Sequence, residues 1–431
     1  MVLKAMIKSL VRLLPREGLA LRRHYWQGVR AKRLRAIAAN QKACGWHLPD
    51  SETVFWISPE RIRNHTNFRA DGLDTEPRNA IFGGGVLPNS VIGGDWDVGG
   101  IEFSELAAFK AIAGRIESRI PWRETEYYRE SMRDINGGRV LWGCRTAEEL
   151  DIRFSYVDGL IDSVRRRGIL PYNQLGDAND LSNLYPENIE INIGRHGQLL
   201  FQNGRHRLAI AKVLKLPLIP VSVLVRHLEW QQLRELLLLS SPDGATIGHV
   251  RRHHGPLHPD LADIPADTLC EDFLEAIRSR LLIQKGRFLD LRCDLGFYCH
   301  ALEQDGFDCV GVEASPDIAH AANQLRLGEG RDFSLYAGDI LDPGIQQPVL
   351  AKPVDVVMAI DCFQHFFKSR ENYLGLQNLL QKLCPAPCDY IPRRSYPLFS
   401  ARAVLRLLRA EAHPTSTRAT RKSASDESEP A

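Results

Sequence analysis

The sequence predicts an α/β chain: a parallel sheet in its C-terminal part, preceded by an α+β region and a helical N-terminal stretch. Three observations carry this expectation. Short apolar runs at 288–291, 309–312, 333–336 and 354–360 alternate with helical patterns, the signature of strands joined by crossover helices. The first run passes through a loop ending at Gly296 straight into a helix. Finally, 431 residues exceed what one core usually holds, so more than one domain is expected.

Taken in order, residues 1–50 read as a basic helical segment. Residues 1–42 carry eleven Lys and Arg against one acid, Glu17. Lys4, Lys8 and Arg12 recur at helical spacing among Leu and Ile until Pro15. Such a helix suits an anionic membrane surface as well as docking on the rest of the chain, and both readings stand. Residues 51–146 read as a mixed α/β region. Gly83-Gly84-Gly85 is a turn rather than a phosphate loop, because no helical pattern follows. Helices are expected over 103–120 and 122–135, broken at Pro121.

Residues 147–240 form the α+β region. Leu150, Phe154, Val157, Leu160, Ile161 and Val164 mark a helix over 147–167, ended by Gly168. Strands at 189–193, 199–201 and 219–225 surround a helix at 206–214, and a further helix covers 227–239. Residues 241–268 read as a Pro/Gly/His-rich solvated linker; His249, His253, His254 and His258 lack a metal-ligand spacing. Residues 269–385 hold the strand–helix alternation. Residues 386–431 read as a basic helix at 401–411 followed by a polar tail without apolar periodicity.

Composition bounds the function. Net charge is +2, too small for a polyelectrolyte reader of nucleic acid. The 9 cysteines are odd in number and form no CxxC pair, so neither a disulfide framework nor a zinc module is expected, and a reducing cytoplasm fits. No apolar run approaches the ~18 residues of a membrane span.

The chemistry concentrates at two turns. In Asp290-Leu291-Arg292-Cys293-Asp294-Leu295-Gly296 a buried strand feeds a helix, so backbone N–H groups and the positive end of the helix dipole face a ligand. Glu313 ends the next strand, where a carboxylate can accept both hydroxyls of a ribose. Gly338-Asp339 follows the third strand, and Asp361-Cys362-Phe363-Gln364-His365 follows the fourth. The other turn is Asn203-Gly204-Arg205-His206-Arg207, where a glycine opens a helix and two guanidiniums add anion-binding charge.

On these residues, 287–383 resembles a class I S-adenosylmethionine-dependent methyltransferase, with its D-x-G-x-x-x-G loop. The resemblance implies a Rossmann-like sheet and S-adenosylmethionine as cofactor. It implies that Asp290, Cys293 and Gly296 line the methionine side, that Glu313 holds the ribose and that Asp339 meets the adenine amino group. Asp361 would sit beside the methyl donor, with His365 as a general base. Here Arg292 replaces the first loop glycine; it could pair with the cofactor carboxylate or fill the pocket. Only four of the family's seven strands can be placed before Leu383, so the sheet is expected to be incomplete. The acceptor stays open.

The stretch 154–225 resembles the N-terminal domain of the ParB/sulfiredoxin family, which implies that Gly204, His206 and Arg207 bind nucleotide phosphate, with Arg205 beside them. Arg205 stands where sulfiredoxin chemistry needs cysteine and where the partitioning proteins carry glutamate, and no helix-turn-helix follows. Sequence-specific DNA binding is therefore not expected. Two functions follow as expectations: methyl transfer, or non-catalytic nucleotide binding at the Gly204 turn beside a degenerate methyltransferase domain.

Overall fold

The computed structural model describes residues 45–50, 52–66, 88–171, 188–239, 258–264, 269–359 and 362–383, together with 35 and 39. The expected amphipathic N-terminal helix, the triple glycine, His249, His253, His254, Asp361, the expected helix at 401–411 and the C-terminal tail lie outside the described residues. The chain divides at Asp267/Thr268 into two compact units, residues 327–330 grouping with the first.

In the first unit β1 (Phe55–Ile57), β2 (Ser90–Ile92), β3 (Ile189–Ile193), β4 (Leu199–Asn203) and β5 (Ile219–His227) make one sheet. β5 lies at its centre, parallel to β3 on one side. On its other side β1 pairs antiparallel with Ile219–Val221 and β2 parallel with Val225–His227. The two regions expected to be separate, 51–146 and 147–240, are therefore one unit. Three-residue strands such as β1 and β2 cannot satisfy their backbone alone and borrow the edge of β5. Asn192, fully buried, mends the register shift between β3 and β5: its Oδ1 accepts from the Val225 amide at 3.1 Å, and its Nδ2 donates to Thr66 and Gln202.

The helices follow their sequence signals. α1 (Ala107–Ser118) and α2 (Glu126–Asn136) are separated near Pro121. α3 (Ala147–Arg167) starts where the Thr146 side chain accepts from the Glu149 amide and stops at Gly168, whose φ is 68°. Its six periodic apolar residues are buried. α4 (Arg205–Val213) and α5 (Leu228–Leu239) complete the set.

The end of the expected linker is not solvated. His258, Asp260, Leu261 and Ile264 are buried. Asp260 accepts from Arg226 Nε at 2.9 Å and from Trp230 Nε1 at 2.9 Å, while Arg234 donates to Asp263 at 2.8 Å. Arg226 and Arg234 are buried completely, so they need these carboxylates as partners, and the segment is fixed where the charges are.

In the second unit β6 (Arg287–Asp290), β7 (Asp308–Glu313), β8 (Ser334–Ala337) and β9 (Val356–Met358) are all parallel, in the order β8-β7-β6-β9. α6 (Leu269–Arg278), α7 (Phe297–Gln304), α8 (Pro316–Gly328), α9 (Pro343–Val349), α10 (Phe363–Phe366) and α11 (Arg370–Leu383) lie between or beside the strands in sequence. Alternate strand residues feed two cores. Phe288 and Cys309 pack with Leu274 and Leu302, whereas Leu289, Val310 and Val312 pack with Leu376, Leu379 and Leu380. Burial on both faces explains the uninterrupted apolar runs. The fourth strand, Val356–Met358, is shorter than the expected 354–360; just before it, Asp355 Oδ2 accepts from the Arg287 amide at 2.7 Å. No described helix is long and apolar enough to cross a membrane.

Candidate functional site

The strand order 3-2-1-4 makes the second unit a Rossmann-like sheet. It places a topological switch between β6 and β9, and in open sheets of this kind the ligand crevice lies there, outside the carboxyl ends of the strands. The candidate residues lie at those ends. After Asp290 the chain makes a tight turn in which Asp294 (φ 50°) and Gly296 (φ 82°) are left-handed. Gly296 caps α7, and a side chain there would meet the Phe333 ring at 3.2 Å as well as a strained backbone. Neighbouring strands pin the turn: the Leu291 amide donates to Met358 O at 3.0 Å and the Cys293 amide to Val312 O at 2.9 Å.

Glu313, 4% exposed, ends β7 and clasps two loops. Its Oε2 accepts from the Asp294 amide at 3.1 Å and its Oε1 from the Ser315 amide at 2.9 Å. Each oxygen keeps a further lone pair. Asp290 is wholly buried. Its Oδ1 accepts from the Arg292 amide at 3.1 Å, while its Oδ2 has no hydrogen-bond partner among the described residues. Burial, then the nearby Glu313 and Asp294, push its carboxyl up to about 8, the Arg292 amide opposing them.

Cys293 does not present its side chain as the resemblance implies. It is 3% exposed and packs in the core against Gly311, where a Cβ would come 2.8 Å from Sγ. Only its backbone belongs to the turn. Burial pushes its thiol well above the usual range, which makes it inert rather than nucleophilic. Asp339 and His365, half-exposed, meet each other: Asp339 Oδ2 lies 2.9 Å from His365 Nε2. Asp339 Oδ1 accepts from the Leu341 amide at 2.9 Å, and the Asn372 amide group donates to His365 O at 2.9 Å. A carboxylate already engaged by an imidazole is oriented before any ligand arrives. Arg292 is partly exposed at the turn.

The other candidate turn lies in the first unit. Gly204 (φ 92°) caps α4, and a side chain there would press on Ile189 Cα at 3.2 Å. Arg207 is buried, its Nη2 donating to Asn188 O at 3.2 Å. His206 Nε2 lies 3.0 Å from Tyr127 Oη. Desolvation first, then the guanidiniums of Arg153, Arg205 and Arg207, hold its imidazolium pKa well below the usual range. Trp142 stands 6.0 Å from the His206 ring, with the Arg153 guanidinium 5.9 Å over it. Tyr127, Trp142 and Arg153 come from α2, α3 and the turn between them, and no local motif singles them out in the sequence.

No family model and no curated protein matches the chain. Among solved structures it is similar to the PH0226 protein of Pyrococcus horikoshii OT3 (25% identity, 28% of this chain, 54% of that one, TM-score 0.23). It is also similar to an S-adenosylmethionine-dependent methyltransferase from Clostridium acetobutylicum (16% identity, 28% and 46%, TM-score 0.22). A third similarity is to the bifunctional kinase-methyltransferase WbdD (21% identity, 35% and 32%, TM-score 0.25). The chain thus spans about half or less of each of these proteins, and at these TM-scores the likeness carries no argument about activity.

Proposed function

We propose that the second unit binds S-adenosylmethionine at the carboxyl ends of β6 and β7 and transfers its methyl group to an acceptor. One observation carries this reading. The turn that ends in the left-handed Gly296, at the start of α7, is tied to the carboxylate of Glu313, at the end of the adjacent strand, by the hydrogen bond that the Asp294 amide donates to Glu313 Oε2. The residues fit the group. Gly296 leaves the turn without a side chain, α7 directs its positive dipole end to the crevice, and Glu313 retains lone pairs for ribose hydroxyls. The unpartnered Asp290 Oδ2 supplies a polar atom at the methionine end. Asp339 and Asp361 would contribute on the adenine and donor sides. The cofactor would supply an activated methyl sulfonium, so positioning outweighs acid–base help. His365, whose Nε2 lies 2.9 Å from Asp339 Oδ2, would take the acceptor's proton at Nε2 once that contact opens.

Isothermal calorimetry tests the reading: stoichiometric binding of S-adenosylmethionine, lost in Glu313→Ala, supports it, and no heat at millimolar cofactor contradicts it. A second reading is favoured by three guanidiniums gathered around His206. In it the Gly204 turn, with Arg205, His206 and Arg207, binds a nucleotide phosphate, and the methyltransferase unit is degenerate. Stabilisation by ATP or CTP but not by S-adenosylmethionine in a thermal-shift panel would select it.

A further inference from the structure

We propose that Asp290 is a proton-linked counter-charge for a cationic ligand: it holds a proton in the ligand-free protein and releases it when a positive group enters the turn. The inference rests on the reading that this turn takes the positively charged methionine end of S-adenosylmethionine, and adds a dependence on protons that the reading does not require.

The geometry is that of a carboxyl built into an acidic corner. Asp290 is wholly buried at the carboxyl end of β6. Among the described residues, one oxygen accepts a single backbone amide and the other accepts nothing. An ionised carboxylate so placed would leave a buried charge half-solvated, at a cost that neutralisation avoids. The titratable and charged groups around it deepen this. Its own loop brings Asp294, Cys293 and Arg292, the last through its amide. β7 brings Glu313 and Cys309, and α7 brings Cys299. β9 pairs alongside with Val356, Val357 and Met358, which carry no charge. The acids act in the same sense as burial, and the Arg292 amide does not outweigh them, which agrees with a carboxyl pushed up to about 8. A ligand ammonium or sulfonium reverses the balance by offering Oδ2 a positive partner. The Oδ2–H bond then breaks and its proton passes to a solvent base, so ligand and proton compete for one oxygen.

Calorimetry on the full chain in two buffers of different ionisation enthalpy counts the protons. Between pH 6 and pH 7 the α-amino group of the ligand, ordinarily titrating near 7.7–8.0, stays largely charged. S-adenosylmethionine should bind with close to one proton released, and its affinity should rise about tenfold per pH unit. Asp290→Asn, which has no proton to give, should bind with release near zero and a flat pH profile. Binding by the native chain without proton release overturns the inference while leaving the cofactor reading intact. Unchanged release in a folded Asp290→Asn also overturns it. If that variant does not fold, the native proton count decides alone. No binding at either pH overturns the cofactor reading and this inference with it.

Discussion

At the scale of single residues, each candidate position has a physical reason that substitution exposes. Gly311 lies in β7 beside the Cys293 side chain, where a methyl group would lie 2.8 Å from Cys293 Sγ and 3.0 Å from its Cβ. Gly311→Ala should therefore destabilise the second unit by about 1–3 kcal/mol through overpacking, read as a lower denaturant midpoint. Cys293→Ala in the same background should recover part of the loss by removing the sulfur. How far the site is legible in sequence differs residue by residue. Asp290, Gly296 and Glu313 announce themselves by spacing along strands whose register is set by apolar runs. The Asp339–His365 contact joins residues 26 apart across two loops. Nothing local in either loop encodes that meeting. Cys293 misleads because a small residue in a turn reads as a lining group, whereas the approach of Gly311 draws its side chain into the core.

At the scale of elements, the sequence is most informative where a stop or start signal coincides with a period. α3 shows both, from its Thr146 cap to Gly168. Thr146→Ala should cost about 1 kcal/mol, measurable as a small drop in melting temperature, because the Glu149 amide loses its acceptor. Polar composition is a poorer guide. The 258–264 segment looks like solvent-loving linker, yet Asp260 neutralises the buried Arg226, and its carboxyl is held at about 2; burial opposes that, but Arg226 and Arg234 prevail. Such a pairing depends on residues 34 apart in sequence being folded together. Asp260→Ala should destabilise the first unit by about 3–5 kcal/mol, since it strands a buried guanidinium. Chemical denaturation would show it directly. Similarly, β1 and β2 look like fragments of a separate region until β5 supplies the edge that both require.

At the scale of the whole molecule, buried titratable groups set how stability responds to pH, and the two units differ. His65 and His258 in the first unit are lowered to about 3, chiefly by burial. His258 is held neutral by donating from Nε2 to Gly197 O while Nδ1 accepts from the Asp260 amide. A histidine with a lowered pKa contributes stability above its ordinary value of about 6.5, and loses it as pH falls toward 3. The first unit should therefore weaken steadily on acidification below about pH 6.5. In the second unit His300 behaves likewise, lowered to about 3, but Asp290 works in the opposite sense. Its raised pKa gives stability that is full below about pH 3.9 and lost as pH rises toward 8. Asp290→Asn should then raise the second unit's stability more at pH 8 than at pH 5, as urea titrations at the two pH values would show.

Methyl transfer by the second unit requires that a nucleoside fit between the crossover turn and the acid of the neighbouring strand. A crystal structure of the chain grown with S-adenosylhomocysteine tests this most directly. Ribose hydroxyls within hydrogen-bond distance of Glu313, with the amino-acid tail over Gly296 and its ammonium at Asp290, is the predicted result. The Arg292 guanidinium filling that space, or the ligand held elsewhere, would contradict it.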